Sequence, residues 1–277
     1  MDKLIKLEGV SKLVTTNELP THEDGKVTIM VVYVGLCRTD LYVANNTIKS
    51  DNIILGHEFS GIVIHDPTNT FTLLDSVTVN PLQNNKFMGV DFNGCLQSYI
   101  NVEPQYVFKH NLPNIIAAYT EPFSASAAVL KYVNHNHKIG VYGNNRIASL
   151  TLSILKALNH NVEIADLRKK DYYDVLVETE INSDNIDSLI NTIKEDGKLI
   201  IKSRNVDPVQ LNLVKCIKKS ITIQFANYLD FTQTLQCMKQ FSHIITPLLG
   251  KVYPIKDWEA AFEEANSNSS KKVFIAM

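Results

Sequence analysis

The stretch from Lys138 to Ala165 constrains this chain most. An apolar strand (Lys138 to Tyr142) runs into a turn at Gly143, a long helical pattern follows from Arg146 to Leu158, and a second strand spans Asn161 to Ala165. Strand, glycine turn, helix and strand form a βαβ unit, which builds a right-handed crossover in a parallel sheet. The pattern continues with a strand at Asp174 to Glu178, a helix over about Asp184 to Lys194 and Gly197 as its stop. A strand at Lys198 to Ile201, a helix at Val206 to Lys218 and a strand at Ile221 to Phe225 follow. A helix at Ala125 to Tyr132 precedes the unit. Only seven residues, 167–173, separate Asp166 from Asp174, whereas a crossover with its helix needs at least ~10 to 12. At ~3.3 Å per residue they reach about 23 Å, enough to recross a short sheet bare. One strand and one helix of a full doubly wound sheet are therefore missing, and fewer than six parallel strands are expected. With 11 glycines in 277 residues, below the usual ~7%, a general loss of tight glycine turns fits the same picture.

The first third reads differently. Short β-rich runs at Lys26 to Val34, Gly61 to His65, Ser76 to Asn80 and Ser98 to Val102 alternate with turn residues. After Asp230 come a helix (Phe231 to Gln240), a strand (Lys251 to Tyr253), an amphipathic segment (Asp257 to Ala265) and a last strand (Lys272 to Ala276). The chain is thus α/β, with a β-rich module around a parallel-sheet module. Lys plus Arg number 27 against 29 Asp plus Glu, and no basic stripe is present, which argues against a nucleic-acid partner. No run free of charged residues exceeds eleven, short of the ~20 that span a bilayer, so no membrane partner is expected. The charged start, Met1 to Glu8, lacks the apolar core of a signal peptide. Cys37, Cys95, Cys216 and Cys237 are far apart and form no CxxC pair, which suggests neither a disulfide framework nor a cysteine knuckle. A cytoplasmic location is expected.

Four groups carry candidate chemistry. Cys37 is followed by Arg38, Thr39 and Asp40; Gly56-His57-Glu58 comes about twenty residues later; and Glu121 lies in Tyr119-Thr120-Glu121-Pro122. Thiolate, imidazole and carboxylate are the donors zinc accepts, and a catalytic site needs about three with one position open. On local residues alone, a buried thiol with a surface histidine is the favoured reading, and Thr39-Asp40 reads as a capping turn.

Taken in order, Gly35-Leu36-Cys37-Arg38-Thr39-Asp40-Leu41, Leu55-Gly56-His57-Glu58-Phe59-Ser60-Gly61, Asp75-Ser76-Val77-Thr78-Val79-Asn80-Pro81, Glu121-Pro122 ahead of a βαβ unit, and the C-terminal Pro254-Ile255-Lys256-Asp257 and Ala260-Ala261-Phe262-Glu263 resemble the zinc-dependent medium-chain dehydrogenase/reductase family. The nearest likeness is to its polyol and threonine dehydrogenase branch. The resemblance implies a GroES-like β-rich catalytic domain (1–122 and 227–277) and a reduced Rossmann doubly wound parallel-sheet domain (123–226). It implies one catalytic Zn2+ held by Cys37, His57, Glu58 and Glu121, with Asp40 orienting the histidine. It implies a nicotinamide dinucleotide, NAD(H) ahead of NADP(H), and a small-molecule secondary alcohol, polyol or ketone as substrate. Thr39 matches the hydroxyl that relays the substrate proton. A homodimer or homotetramer is implied, with the strand Ile221 to Phe225 as an edge open to a second subunit. An alternative is a non-redox zinc enzyme or scaffold on the same frame.

The chain departs from the family at three places. Asn80 to Asn93 holds no cysteine, so the four-cysteine structural zinc lobe is absent. Tyr42 stands where the family has a relay histidine, placing a phenol or water in the proton path. The dinucleotide fingerprint G-x-G-x-x-G/A is reduced to Gly143-Asn144-Asn145-Arg146-Ile147-Ala148, with Asn145 expected to tolerate a left-handed turn but to add bulk. Asp166 ends the second strand where an acid binds a ribose in NAD-using proteins. Arg168-Lys169-Lys170 is either a solvated turn or a site for a 2′-phosphate. Arg38 and Lys272 match basic positions near the dinucleotide phosphates, and Arg146 is close by.

Overall fold

A computed structural model describes residues 1–204, 208–267 and 270–277, which form two compact units. One comprises residues 1–121 and 235–277, the other residues 122–234.

The first unit is organised by the strand Val27–Gly35, nine residues with no charge among them and six of them buried. Such a run has to be covered on both faces and along both edges. It pairs antiparallel with Glu58–His65 on one edge. Its other edge is shared by Tyr99–Val102 at the beginning and Lys272–Ala276 at the end. Ser76–Val79, Val107–Lys109 and Leu249–Pro254 complete this sheet of seven strands. A hairpin not foreseen from sequence, Asp2–Leu7 with Val10–Thr15, turns at Glu8 and Gly9, both in left-handed backbone. Its alternation is hidden because an inward position is a lysine: Lys6 is fully buried, and its ammonium donates to the Val43 carbonyl, near the end of the helix Arg38–Ala44.

In the second unit, five strands run parallel in the order Val162–Ile164, Ile139–Tyr142, Tyr173–Glu178, Ile193–Ile201, Thr222–Phe225. Numbered along the chain that order is 2-1-3-4-5, a doubly wound sheet. The chain leaves the edge strand Val162–Ile164 and returns on the far side of Ile139–Tyr142 through residues 165–172, which form no helix. The reduced parallel sheet expected from the seven-residue gap is what forms. Val175 and Val177 face one core with Val141 and Leu155, while Leu176 faces another with Leu189 and Leu199.

Element limits differ where glycine and capping signals misled. Gly197 does not stop a helix: the helix is Ile186–Thr192 and the strand already runs through Gly197, with Asp196 taking the left-handed backbone (φ 57°). The helix expected from Val206 is Leu213–Lys218, and Val206 itself lies outside the described residues. The helix expected from Ala125 starts at Thr120, runs to Ala127 and tightens into a 3-10 turn, Ala128–Lys131. Among the described residues no helix is long and apolar enough to cross a membrane.

Three glycines let backbone pack on backbone beside His57. Gly56 (φ 92°) and Gly89 (φ 76°) are left-handed, and a Cβ on Gly94 would collide with the carbonyl oxygens of Gly56 and Leu55. Gly94→Ala must therefore push the Leu55-Gly56 backbone away from its partners, and a loss on the order of 2–4 kcal/mol is expected in urea denaturation.

Candidate functional site

The site in the first unit begins where the strand Val27–Gly35 ends. Leu36 is buried, Cys37 is the N-cap of the helix Arg38–Ala44, and Asp40 lies in its first turn, fully buried. One Asp40 oxygen accepts the Cys37 N–H at 2.8 Å, and the other lies 3.0 Å from His57 Nδ1. An ionised carboxylate can only accept, so Nδ1 carries a proton and Nε2 is left as the free donor atom of the ring in its neutral form. Nε2 points toward Glu58, 3.9 Å from Oε1. The ligand atoms of Cys37, His57 and Glu58 all lie within 4.8 Å of one another. Zinc bonds of about 2.0–2.3 Å in a tetrahedron put ligands roughly 3.3–3.8 Å apart, so a small contraction closes the set on an ion.

The electrostatics favour a cation. Asp40, Glu58 and Glu121 are buried carboxylates in this unit, and the buried Lys272 pairs with Glu58. Burial pushes the His57 imidazole toward lower pKa, but the charges of Asp40 and Cys37 outweigh it and leave it well above its usual value. Burial raises the Glu58 carboxyl and Glu121 raises it further, against the opposing pull of Lys272 and His57. Glu121 thus sits within electrostatic reach of the cluster, at the start of the helix Thr120–Ala127.

Lys272 corrects the sequence reading. Instead of standing ready for a dinucleotide phosphate, it is buried at the start of the last strand. Its Nζ lies 2.7 and 2.5 Å from the two Glu58 oxygens and donates to the Leu36 carbonyl at 3.1 Å. The physical reason is that a buried ammonium needs a buried counter-charge, and Glu58 is the one within reach. Gly35 makes room for the pair, since a Cβ there would lie 2.8 Å from Glu58 Oε2. Arg38 is exposed on the first turn of its helix. Thr39 is half-buried with Oγ1 3.8 Å from Cys37 Sγ, beside the candidate ion position. Tyr42 is half-buried one turn further along the same helix.

Sequence reasoning missed Phe87. The cysteine-free segment forms a small hairpin, Leu82–Gln83 with Lys86–Phe87, and the Phe87 ring lies 4.9 Å from the His57 ring. Nothing in its local pattern marks it, because the contact depends on the loop folding back over Gly56.

In the second unit the eroded fingerprint keeps its turn. Gly143 has φ 127°, and a Cβ would collide with Thr179 Oγ1. Asn145 is not left-handed as expected but extended (φ −145°). Its amide carbonyl caps the helix Arg146–Ala157 by accepting the Ala148 N–H at 3.0 Å, and its Nδ2 donates to Thr179. Ile147 and Arg146 occupy the first turn of that helix, and Asn144 N–H donates to a Glu180 carboxylate oxygen at 3.1 Å. The Asp166 carboxylate is gripped by Arg168 through two 2.9 Å bonds, which lowers it to about 2. Lys169 pairs with Glu163, and Lys170 is exposed. Arg168 and Lys169 are thus engaged by acids of the same unit, and Lys170 stands in solvent. The turn, the helix and the acid are all in place, but the Asn144 and Ala148 N–H groups and the Asp166 carboxylate are already engaged.

Residues 23–114 match the alcohol dehydrogenase GroES-like domain. Over 170 residues the chain is 28% identical to 2-dehydro-3-deoxy-L-galactonate 5-dehydrogenase of Pseudoalteromonas atlantica, a match spanning 51% of this chain and 49%, about half, of that protein. It is 23% identical to D-arabitol-phosphate dehydrogenase of Enterococcus avium, over 93% of this chain and 91% of the relative. That alignment runs to 327 positions, more than the 277 residues here, so the relative carries segments this chain lacks. An alcohol dehydrogenase of Escherichia coli, solved with NADH, superposes with a TM-score of 0.89 at 16% identity, covering 100% of this chain and 99% of the other.

Replacing Lys272 tests the buried pair. Because burial raises the Glu58 carboxyl, its contribution to stability is complete below the ordinary carboxylate range and lost as pH rises through the folded-state value. Lys272→Met raises that value further, so it is expected to cost about 3–5 kcal/mol at neutral pH and clearly less near pH 4. Chemical denaturation at the two pH values checks this.

Proposed function

We propose that this chain, which belongs to the medium-chain dehydrogenase/reductase family, interconverts a secondary alcohol or polyol and its ketone, using one zinc ion and a nicotinamide dinucleotide. The observation that carries the reading is the convergence of Cys37, His57 and Glu58 under the control of Asp40. When bound, zinc supplies Lewis acidity to the substrate oxygen and the nicotinamide ring accepts or returns the hydride. The rest is done by side chains. Cys37 Sγ and His57 Nε2 would hold the ion, and Asp40 keeps His57 in the ligating tautomer and in place. Glu58, held by Lys272, and Glu121 are the further carboxylates that complete the ligand set. The Thr39 hydroxyl, beside Cys37, takes the substrate proton and passes it to water or to the Tyr42 phenol. Phe87, packed on His57, offers an apolar wall to the carbon chain of the substrate.

The sugar-acid and polyol-phosphate dehydrogenases among the relatives favour a polyhydroxylated substrate. NAD(H) is favoured over NADP(H) because a 2′-phosphate at Asp166 would meet a carboxylate, and the adjacent Arg168 is already neutralised by it. The four unpaired cysteines suit a reducing cytoplasm. A homodimer or homotetramer is supported by the exposed Phe225 on the edge strand Thr222–Phe225, with Leu213, Val214 and Ile217 exposed on the preceding helix. A second reading, a zinc enzyme without hydride transfer, is favoured by the engaged donors of the Gly143 turn; an NADH titration of the zinc-loaded chain separates the two.

Two variants test the metal half. Cys37→Ser should lose bound zinc, measured by atomic absorption, together with alcohol oxidation and ketone reduction; full activity without the thiol sinks the assignment. Asp40→Asn should keep the fold while weakening zinc binding by about 10- to 100-fold in competition with a chromophoric chelator.

A further inference from the structure

We propose that Glu180 is a built-in competitor for the phosphates of the dinucleotide and so sets the affinity of the second unit for it, an inference that rests on the nicotinamide reading above. The turn between Tyr142 and the helix Arg146–Ala157 is where a doubly wound fold receives a pyrophosphate, because backbone N–H groups and the positive end of the helix point there. In this chain the Asn144 N–H is already taken by the Glu180 carboxylate at 3.1 Å. The position of Glu180 is imposed by the backbone. Thr179 N–H and Oγ1 both bond the Tyr142 carbonyl (2.9 and 3.0 Å), which ties the end of one strand to the end of its neighbour. Asn185 Nδ2 holds the Glu180 carbonyl at 2.9 Å. The carboxylate is thus kept beside Gly143 and Asn144, and it carries the charge sign of the ligand the turn would otherwise receive.

Two effects follow. The incoming phosphate has to displace an acceptor that is already seated, and it does so against a like charge that the pinned backbone keeps within a few ångströms. Asn145 acts differently: it is neutral, and its bond to the Ala148 N–H is a helix cap, so its presence removes a donor without adding repulsion. Glu180 is exposed and belongs to the second unit, whereas Cys37, His57 and Glu58 belong to the first, so altering it leaves the ligand cluster's own residues unchanged.

The experiment is calorimetric titration of the full-length, zinc-loaded chain and its Glu180→Gln and Glu180→Ala variants with adenosine, ADP and NADH at fixed pH and low salt. Gln keeps an acceptor without the charge, and Ala removes both. ADP and NADH are expected to bind both variants about tenfold more tightly than the parent, with adenosine unchanged and the gain shrinking as salt is raised. Unchanged or weaker ADP and NADH binding in both variants, with NADH still binding the parent, overturns the competitor role and leaves the dehydrogenase reading standing. An equal gain for adenosine overturns it as well, since the effect would not act through phosphate. No binding of ADP or NADH to any of the three chains removes the nicotinamide reading and this inference with it.

Discussion

The Asp40 carboxylate holds two segments of the first unit in one geometry. It is fully buried, and a buried carboxylate is tolerated only when its oxygens are engaged. One engages the N–H of Cys37, the other His57, seventeen residues further along the chain from Asp40. The same contact that makes Asp40 affordable therefore sets the distance between a thiol and an imidazole. Every other feature of the site is arranged around that pair. The glycines at 56, 89 and 94 bring the backbone of the His57 loop close, Gly35 opens room for Glu58, and Lys272 comes in from the last strand to offset part of the negative charge.

Balance of charge distinguishes this cluster from a single buried ion pair. Lys272 offsets Glu58, and the buried Asp40 carboxylate leaves an excess of negative charge that falls on His57. An imidazole held well above its usual pKa is the protein's own response to that excess. An ion with soft and borderline ligands at hand would relieve it more completely.

The second unit shows the opposite tendency. It has shed a strand and a helix and still closes a five-stranded parallel sheet, because eight residues stretched across one strand suffice where no helix has to be packed. The groups that a dinucleotide would use are taken by the chain's own side chains: the Ala148 N–H by Asn145, the Asp166 carboxylate by Arg168, the Asn144 N–H by Glu180. The first unit thus gathers buried charge around Asp40 and Glu58, and the second pairs its charges near the surface.

Local pattern alone determined the βαβ order and the bare recrossing after Asp166, since periodicity and chain reach are properties of neighbouring residues, while the pairing of Cys37 with His57 as candidate ligands came from the order of motifs that carries the family resemblance. It could not determine what Lys272, Phe87, Lys6 or Glu180 do. Each of these is decided by a contact across long chain separation: Lys272 with Glu58, Phe87 with His57, Lys6 with the Val43 carbonyl, Glu180 with Asn144. A lysine in a strand reads as solvated until the fold buries it, and a basic residue assigned to a phosphate is reassigned once a carboxylate lies closer. Burial and counter-charge belong to the packed structure, and only tertiary packing settled them.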